Sequence, residues 1–168
     1  MAKLSNPDTL VIHCSATKPS MDLTAATVRK WHMQQGWADI GYHWFIRRDG
    51  TVEKGRKETE VGAHVQGWNT RSLGICLAGG VSEKDGTTPE MNYTAEQWLA
   101  LETLCTEVLR RHPTIRSVIG HRDTGAKKAC PSFDAKEWWA NRAAKPLDVA
   151  QQTGAAHILD PGQGTVEH

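Results

Sequence analysis

Thr9-Leu10-Val11-Ile12-His13-Cys14 is an apolar run of strand length that ends in an imidazole and a thiol. Alternation places Leu10, Ile12 and Cys14 on one side, and Val11 and His13 on the other. Both sides are largely apolar, so the run reads as a buried strand. A histidine in that position is costly to bury unless both ring nitrogens are satisfied. His13 taken alone is either a core imidazole bonded to backbone or a ligand.

Working outward, the loop from Ser15 to Ser20 leads to a helix expected from about Leu23 to Gln35. Ser20 or Asp22 is its cap, Val28 and Trp31 mark its apolar face, and Gly36 is its stop signal. Tyr42–Ile46 and Thr51–Lys54 read as a hairpin around Asp49-Gly50, a dipeptide suited to a type I′ turn. Residues 72–78 form a second apolar strand, stopped by Gly79-Gly80, and residues 81–93 a polar loop. Trp98, Leu101, Leu104, Cys105, Val108 and Leu109 recur at helical spacing over Ala95–His112, with Thr94 and Gln97 as a capping box. Residues 115–119 are a short strand leading to His121. A last helix begins at Asp134, where Asp134 and Glu137 serve the cap and Phe133 and Trp138 occupy the positions of a hydrophobic staple. This order predicts one α/β domain over residues 1–143, with a mixed central sheet flanked by helices. Residues 144–168 are rich in Ala, Gln, Gly and Pro and are expected to be a mobile or loosely packed tail.

A chain of 168 residues suffices for one domain with an ample core. Its net charge of +1 gives no basic surface for nucleic acid. No apolar run approaches the roughly 18 residues of a membrane span, and the amino terminus does not read as a signal peptide. Four cysteines, two of them inside apolar periodic segments, suggest free thiols in a reducing compartment rather than a disulfide framework. Seven tryptophans are many for this length; some must be core, which is the favoured reading for any one of them, and a Trp-rich groove for sugar or peptide is the alternative.

Residues 120–131, Gly-His-Arg-Asp-Thr-Gly-Ala-Lys-Lys-Ala-Cys-Pro, add an imidazole, ammonium groups and a thiol in one loop. With His13, His121 and Cys130 make a mixed nitrogen and sulfur set suited to zinc. Three protein ligands leave a fourth tetrahedral position open, as in catalytic rather than structural sites. Spacing alone is not diagnostic, because there is no Cys-x-x-Cys pair and no His-Glu-x-x-His helix. A cysteine hydrolase using Cys130 or Cys14 with a histidine stays open on the residues alone. In an extended segment Lys128 and Cys130 face the same side, and Lys127 the other.

The segments VIHCSATKPS, KWHMQQGWADIGYHWFIRRDGTVEKGR, VGAHVQGWNTRSLGICLAGG and KKACPSFDAKEWW resemble the type 2 N-acetylmuramoyl-L-alanine amidases of the peptidoglycan recognition protein superfamily, in particular the phage lysozymes of the T-odd coliphages. The resemblance covers roughly residues 8–142. It implies a zinc amidase (endolysin) that cuts between the lactyl group of N-acetylmuramic acid and the L-alanine of the stem peptide. By position it implies His13, His121 and Cys130 as zinc ligands, and Tyr42 and Lys128 as catalytic residues. His64 is implied as a groove residue near the metal, with a turn-stabilising role as the alternative. Asn69 is expected to order the start of the following strand or to face substrate. Two departures stand out: the loop from His121 to Cys130 is one residue longer than in the coliphage enzyme, and the segment before the first strand is shorter. That segment in the coliphage protein helps bind and inhibit the phage RNA polymerase, which is therefore raised here only as a second partner to test. A binding module that has lost hydrolysis is a further alternative, but such members typically lack the cysteine ligand. A monomeric enzyme is expected, made in the host cytoplasm and reaching the periplasmic wall after holin-mediated release.

Overall fold

The computed structural model describes residues 1–143 and the pair 158–159. The expectation of a loosely packed tail falls on 144–168 and so lies outside the described residues, except for that pair. Six strands form one mixed sheet in the order β5-β1-β4-β2-β3-β6. They are β1 (Thr9–Cys14), β2 (Trp44–Ile46), β3 (Val52–Lys54), β4 (Ser72–Leu77), β5 (Ser117–Gly120) and β6 (Ile158–Leu159). Strands β5, β1, β4 and β2 run parallel, β3 pairs antiparallel with β2, and β6 lies parallel to β3. The helices are α1 (Ala25–Gln34), α2 (Ala95–Arg111) and α3 (Ala135–Ala143).

The period-two pattern of β1 separates two cores. Leu10, Ile12 and Cys14 join Leu73, Ile75 and Leu77 of β4 against Leu101, Leu104, Cys105 and Val108 of α2 and Ala135 of α3. On the opposite face, α1 contributes Ala25 and Val28 to a smaller cluster with Leu23, Ile40, Phe45, Cys76 and Ala78. Val11, Val65 and Ile119 form a third. His13 therefore lies on the α1 face, while its neighbours in sequence feed the larger core.

The local signals of α2 and α3 hold. Thr94 and Gln97 make the reciprocal capping box. The Asp134 carboxylate accepts the Glu137 N–H at 3.1 Å, and the Phe133 and Trp138 rings meet with centroids 6.2 Å apart. Three details of the first half differ from the sequence reading. The cap of α1 is Thr24, whose hydroxyl accepts the Thr27 N–H. Ser20 is instead bonded to Glu83, and Asp22 reaches out to Arg47. Trp31 is 38% exposed, because His32 is the residue turned inward four positions after Val28, where its Nδ1 accepts the Gly41 N–H at 2.9 Å. The β2–β3 turn is not type I′. That form needs positive φ at both central residues, and only Gly50 has it, at +87°. The Gly50 N–H bonds back to the Arg47 carbonyl and the Arg47 N–H to the Thr51 carbonyl, which is a type I turn followed by a left-handed glycine.

Helix α1 ends in a Schellman motif. The Gly36 N–H bonds to the Met33 carbonyl and the Trp37 N–H to the His32 carbonyl, with Gly36 at φ +94°. The motif stacks Trp37 on His32, centroids 4.5 Å apart, and His32 in turn lies 5.6 Å from the Tyr42 ring. A helix stop signal thus sets the position of a residue at the site.

Gln97 ties the capped end of α2 to the sheet. It is fully buried, donates to the Ala78 and Ile46 carbonyls, and accepts from Arg48 and from the Thr94 N–H. Gln97→Leu keeps the volume but strands these partners. It is expected to cost about 2–4 kcal/mol, read as a lower urea midpoint at unchanged slope.

Candidate metal centre and active site

His13 is the fifth residue of β1, near the carboxyl end of the central parallel strand. His121 directly follows β5, and Cys130 lies on the loop beyond it. Crevices at the carboxyl ends of parallel strands are where such sheets build sites. The ligand atoms of His13, His121 and Cys130 all lie within 4.8 Å of one another. The Cys130 Sγ is 4.0 Å from His13 Nδ1, and the His13 and His121 rings meet edge to face at 4.8 Å. Across a tetrahedral zinc, ligand atoms stand about 3.3–3.7 Å apart, so only small side-chain adjustments separate this arrangement from a zinc-holding one.

The electrostatics of the three donors fit a cation. Burial, followed by the charge of neighbouring histidines, holds His13 well below the ordinary imidazole range. Burial, and then the Lys128 ammonium, lower His121. Both rings therefore offer lone pairs. The Cys130 thiol is pushed well up by its neighbour Cys14 and by burial. A divalent ion between the imidazoles would supply the opposing charge that favours the thiolate.

The Cys130 loop is anchored on several sides. Arg122 donates its N–H to the Cys130 carbonyl at 2.9 Å, and the Cys14 N–H points at Cys130 Sγ at 3.0 Å. The buried Tyr93 hydroxyl donates to the Pro131 carbonyl and the Ser132 hydroxyl to the Gly80 carbonyl. The Cys130-Pro131 peptide is cis. A Cβ at Gly120 would meet the Pro131 ring at 2.7 Å, so the strand end must be glycine for the loop to close down. The loop is irregular rather than extended: residues 121–124 form a 3-10 turn and Gly125 has φ +86°. Strand alternation is thus not what places Lys128. Lys127 and Lys128 are both exposed, and Lys128 is the one whose charge is felt by His121.

Tyr42 precedes β2 rather than lying in it. Its ring centroid is 5.1 Å from that of His13. Burial pushes its phenol pKa well up, so the hydroxyl is a donor throughout the neutral range. His43 points elsewhere. Its Nδ1 accepts the Gly74 N–H at 3.0 Å and its Nε2 donates to the Glu60 carbonyl at 2.8 Å.

His64 is buried behind His13 instead of lining an open groove. Its Nδ1 is 2.8 Å from His13 Nε2, and its Nε2 is 3.4 Å from the Ser72 hydroxyl. Asn69 serves the loop that carries it, accepting the N–H groups of His64 and Val65, each at 2.9 Å. The link from His64 to His13 was not anticipated from the sequence. Its one signal was the glycine inside the apolar strand β4, since an isolated strand glycine marks a close approach. A Cβ at Gly74 would meet the His64 ring at 2.8 Å. The Trp-rich groove is elsewhere too: Trp98 and Trp138 line a surface groove with Met91 and Leu99, and both tryptophans pack on the α2 face of the sheet, away from His13.

Residues 3–133 match the family described as N-acetylmuramoyl-L-alanine amidase. The endolysin of Klebsiella phage KP32 is 50% identical over 130 residues, 77% of this chain and 83% of that protein. The endolysin of Escherichia phage T7 is 45% identical over 132 residues, 79% of this chain and 85% of that one. Among solved structures, the N-acetylmuramoyl-L-alanine amidase LysC from Clostridium intestinale URNW superposes with a TM-score of 0.70 at 28% identity, covering 86% of this chain and 95% of that one. The chain belongs to the N-acetylmuramoyl-L-alanine amidase family and has its mixed-sheet fold.

Three buried imidazoles give the fold a pH dependence. His43 is lowered to about 4 and His64 to about 3, in both cases chiefly by burial, and His13 shifts the same way. Between these values and the ordinary 6.5, the unfolded chain binds protons that the folded chain does not. Stability is therefore full above pH 6.5 and falls as the pH drops. In chelator, urea unfolding should lose on the order of 2 kcal/mol for each of His43 and His64 between pH 7 and pH 5. An unchanged midpoint would show that the folded state protonates these rings.

Proposed function

We propose that this chain is a zinc-dependent endolysin that hydrolyses the amide between the lactyl group of N-acetylmuramic acid and the L-alanine of the stem peptide. The observation that carries the reading is the convergence of His13, His121 and Cys130 beside Tyr42, in a chain of the amidase family. Zinc held by these three residues would supply Lewis acidity, polarising the scissile carbonyl and bringing the pKa of a water toward neutrality.

The remaining work falls to the chain's own groups. Attack on the lactyl carbonyl leaves negative charge on its oxygen. In this reading the Lys128 ammonium, whose charge already acts on His121, stabilises that negative charge. Tyr42 stays protonated, and in this reading its hydroxyl, which lies beside the Cys76 thiol, turns to offer a hydrogen bond to the reacting atoms. The leaving amine takes a proton from Tyr42, from Lys128 or from water held between them. Among the described residues no helix is long and apolar enough to cross a membrane. In this reading the enzyme is made in the host cell and reaches the wall through lesions opened by a separate protein.

Metal analysis is expected to find one zinc per chain, and mass spectrometry of digested wall to find muropeptides cut at the lactyl amide. Chelation should abolish the activity and zinc restore it; activity indifferent to chelator would instead favour a cysteine hydrolase. Lys128→Ala and Tyr42→Phe should each keep the zinc but lose about 10²-fold or more in hydrolysis rate. Full activity in either variant removes that residue from the reaction.

A further inference from the structure

The hydrogen bonds behind His13 have a direction that chemistry fixes. The Trp68 carbonyl can only accept, and the Ser72 hydroxyl lies 2.7 Å from it. Ser72 spends its one proton there, so toward His64 it can only accept. The His64 Nε2, 3.4 Å from that oxygen, must then carry a hydrogen. His64 is 8% exposed and His13 1% exposed, and neutral rings are the affordable state at such sites. A neutral His64 with its hydrogen on Nε2 has a bare Nδ1, which accepts from His13 Nε2 at 2.8 Å. His13 in turn is left with a bare Nδ1, the atom that faces Cys130 Sγ at 4.0 Å.

We infer that His64, backed by Ser72, is a positioning residue that locks His13 in the tautomer whose Nδ1 lone pair points at His121 and Cys130. The purpose of the lock rests on the zinc reading above; the lock itself does not. The surroundings are built for the ring. A Cβ at Gly74 would meet the His64 ring at 2.8 Å and one at Gly62 would meet it at 2.7 Å, so both neighbours lack side chains where the imidazole lies. Asn69 pins the backbone of His64 from the other side. The His64 and His13 rings stand nearly perpendicular, at 86° with centroids 5.0 Å apart, which aims one nitrogen at the other. Groups that hold the second nitrogen of a metal-binding histidine typically account for 10–100-fold in affinity.

Two measurements test the lock. Nitrogen-15 histidine spectra of the chelated wild-type protein should show the hydrogen on Nε2 of both His13 and His64; a hydrogen on His13 Nδ1 overturns the inference. Zinc affinity, read by competition with a chromophoric chelator, should weaken 10–100-fold in His64→Phe, which keeps a ring but no acceptor. His64→Asn places an amide oxygen where Nδ1 was and should stay within about threefold of wild type. Urea midpoints of the chelated variants report whether each folds. Wild-type affinity in His64→Phe, or equal weakening in two folded variants, also overturns the inference. If neither variant folds, the wild-type spectra decide alone. A wild-type protein that shows the expected tautomers but binds no zinc would sink the zinc reading and leave the lock standing.

Discussion

A buried imidazole on the central strand sets the terms for everything around it. His13 is 1% exposed, on a strand whose other residues are almost all apolar. Such a ring must be neutral, and each nitrogen must find a partner or cost several kcal/mol. One nitrogen has His64. The other faces the thiol of Cys130 across 4.0 Å, too long for a strong hydrogen bond and suited to a shared ion. The same burial that makes the strand stable thus leaves one lone pair that a metal would satisfy best.

The sheet divides the remaining tasks between its faces. Under α2 and α3 the core is large and almost wholly apolar, and it supplies stability without interruption. The α1 face is broken into two smaller clusters, with His43, His64 and Ser72 between them. Each of these polar groups has bonded partners, which is the condition for a polar column to sit in a fold without destabilising it. Glycines at 62 and 74 make room for it. Because the column leads to the carboxyl ends of parallel strands, the polar interior and the candidate metal centre are one continuous structure.

The sequence was legible where a signal is local. The strand of residues 9–14, the capping box at Thr94, the staple at Phe133 and the order of elements all follow from periodicity and cap chemistry, and the resemblance pointed to three candidate ligands, whose donor atoms the structure brings within 4.8 Å of one another. What escaped depends on tertiary contact. The cap of α1 moved to Thr24 because Glu83 and Arg47, distant in sequence, engage the alternatives. Trp31 faces water because His32 is bonded to Gly41, and the turn at Asp49-Gly50 took the form that its ladder of hydrogen bonds demanded. His64 reads as a groove residue in sequence, since nothing nearby shows that a strand 51 positions earlier ends against its ring. The glycine of β4 was the clue, and it has meaning only once His64 is known to lie over it.

The contrast between Cys130 and Lys128, two residues apart, matches the roles proposed for each. A metal ligand must be held to within roughly 0.2 Å. Cys130 accordingly sits in a loop fastened by Tyr93, Ser132, Arg122 and the backbone of Cys14. A charge that stabilises an oxyanion acts through a Coulomb energy that falls only inversely with distance. It can therefore work from an exposed side chain whose own backbone is tied locally, as Lys128 is to Ala126. The loop thus holds the thiol half-buried and leaves the ammonium in water, which suits the proposed roles: a fixed ligand in one case, a side chain free to approach substrate in the other.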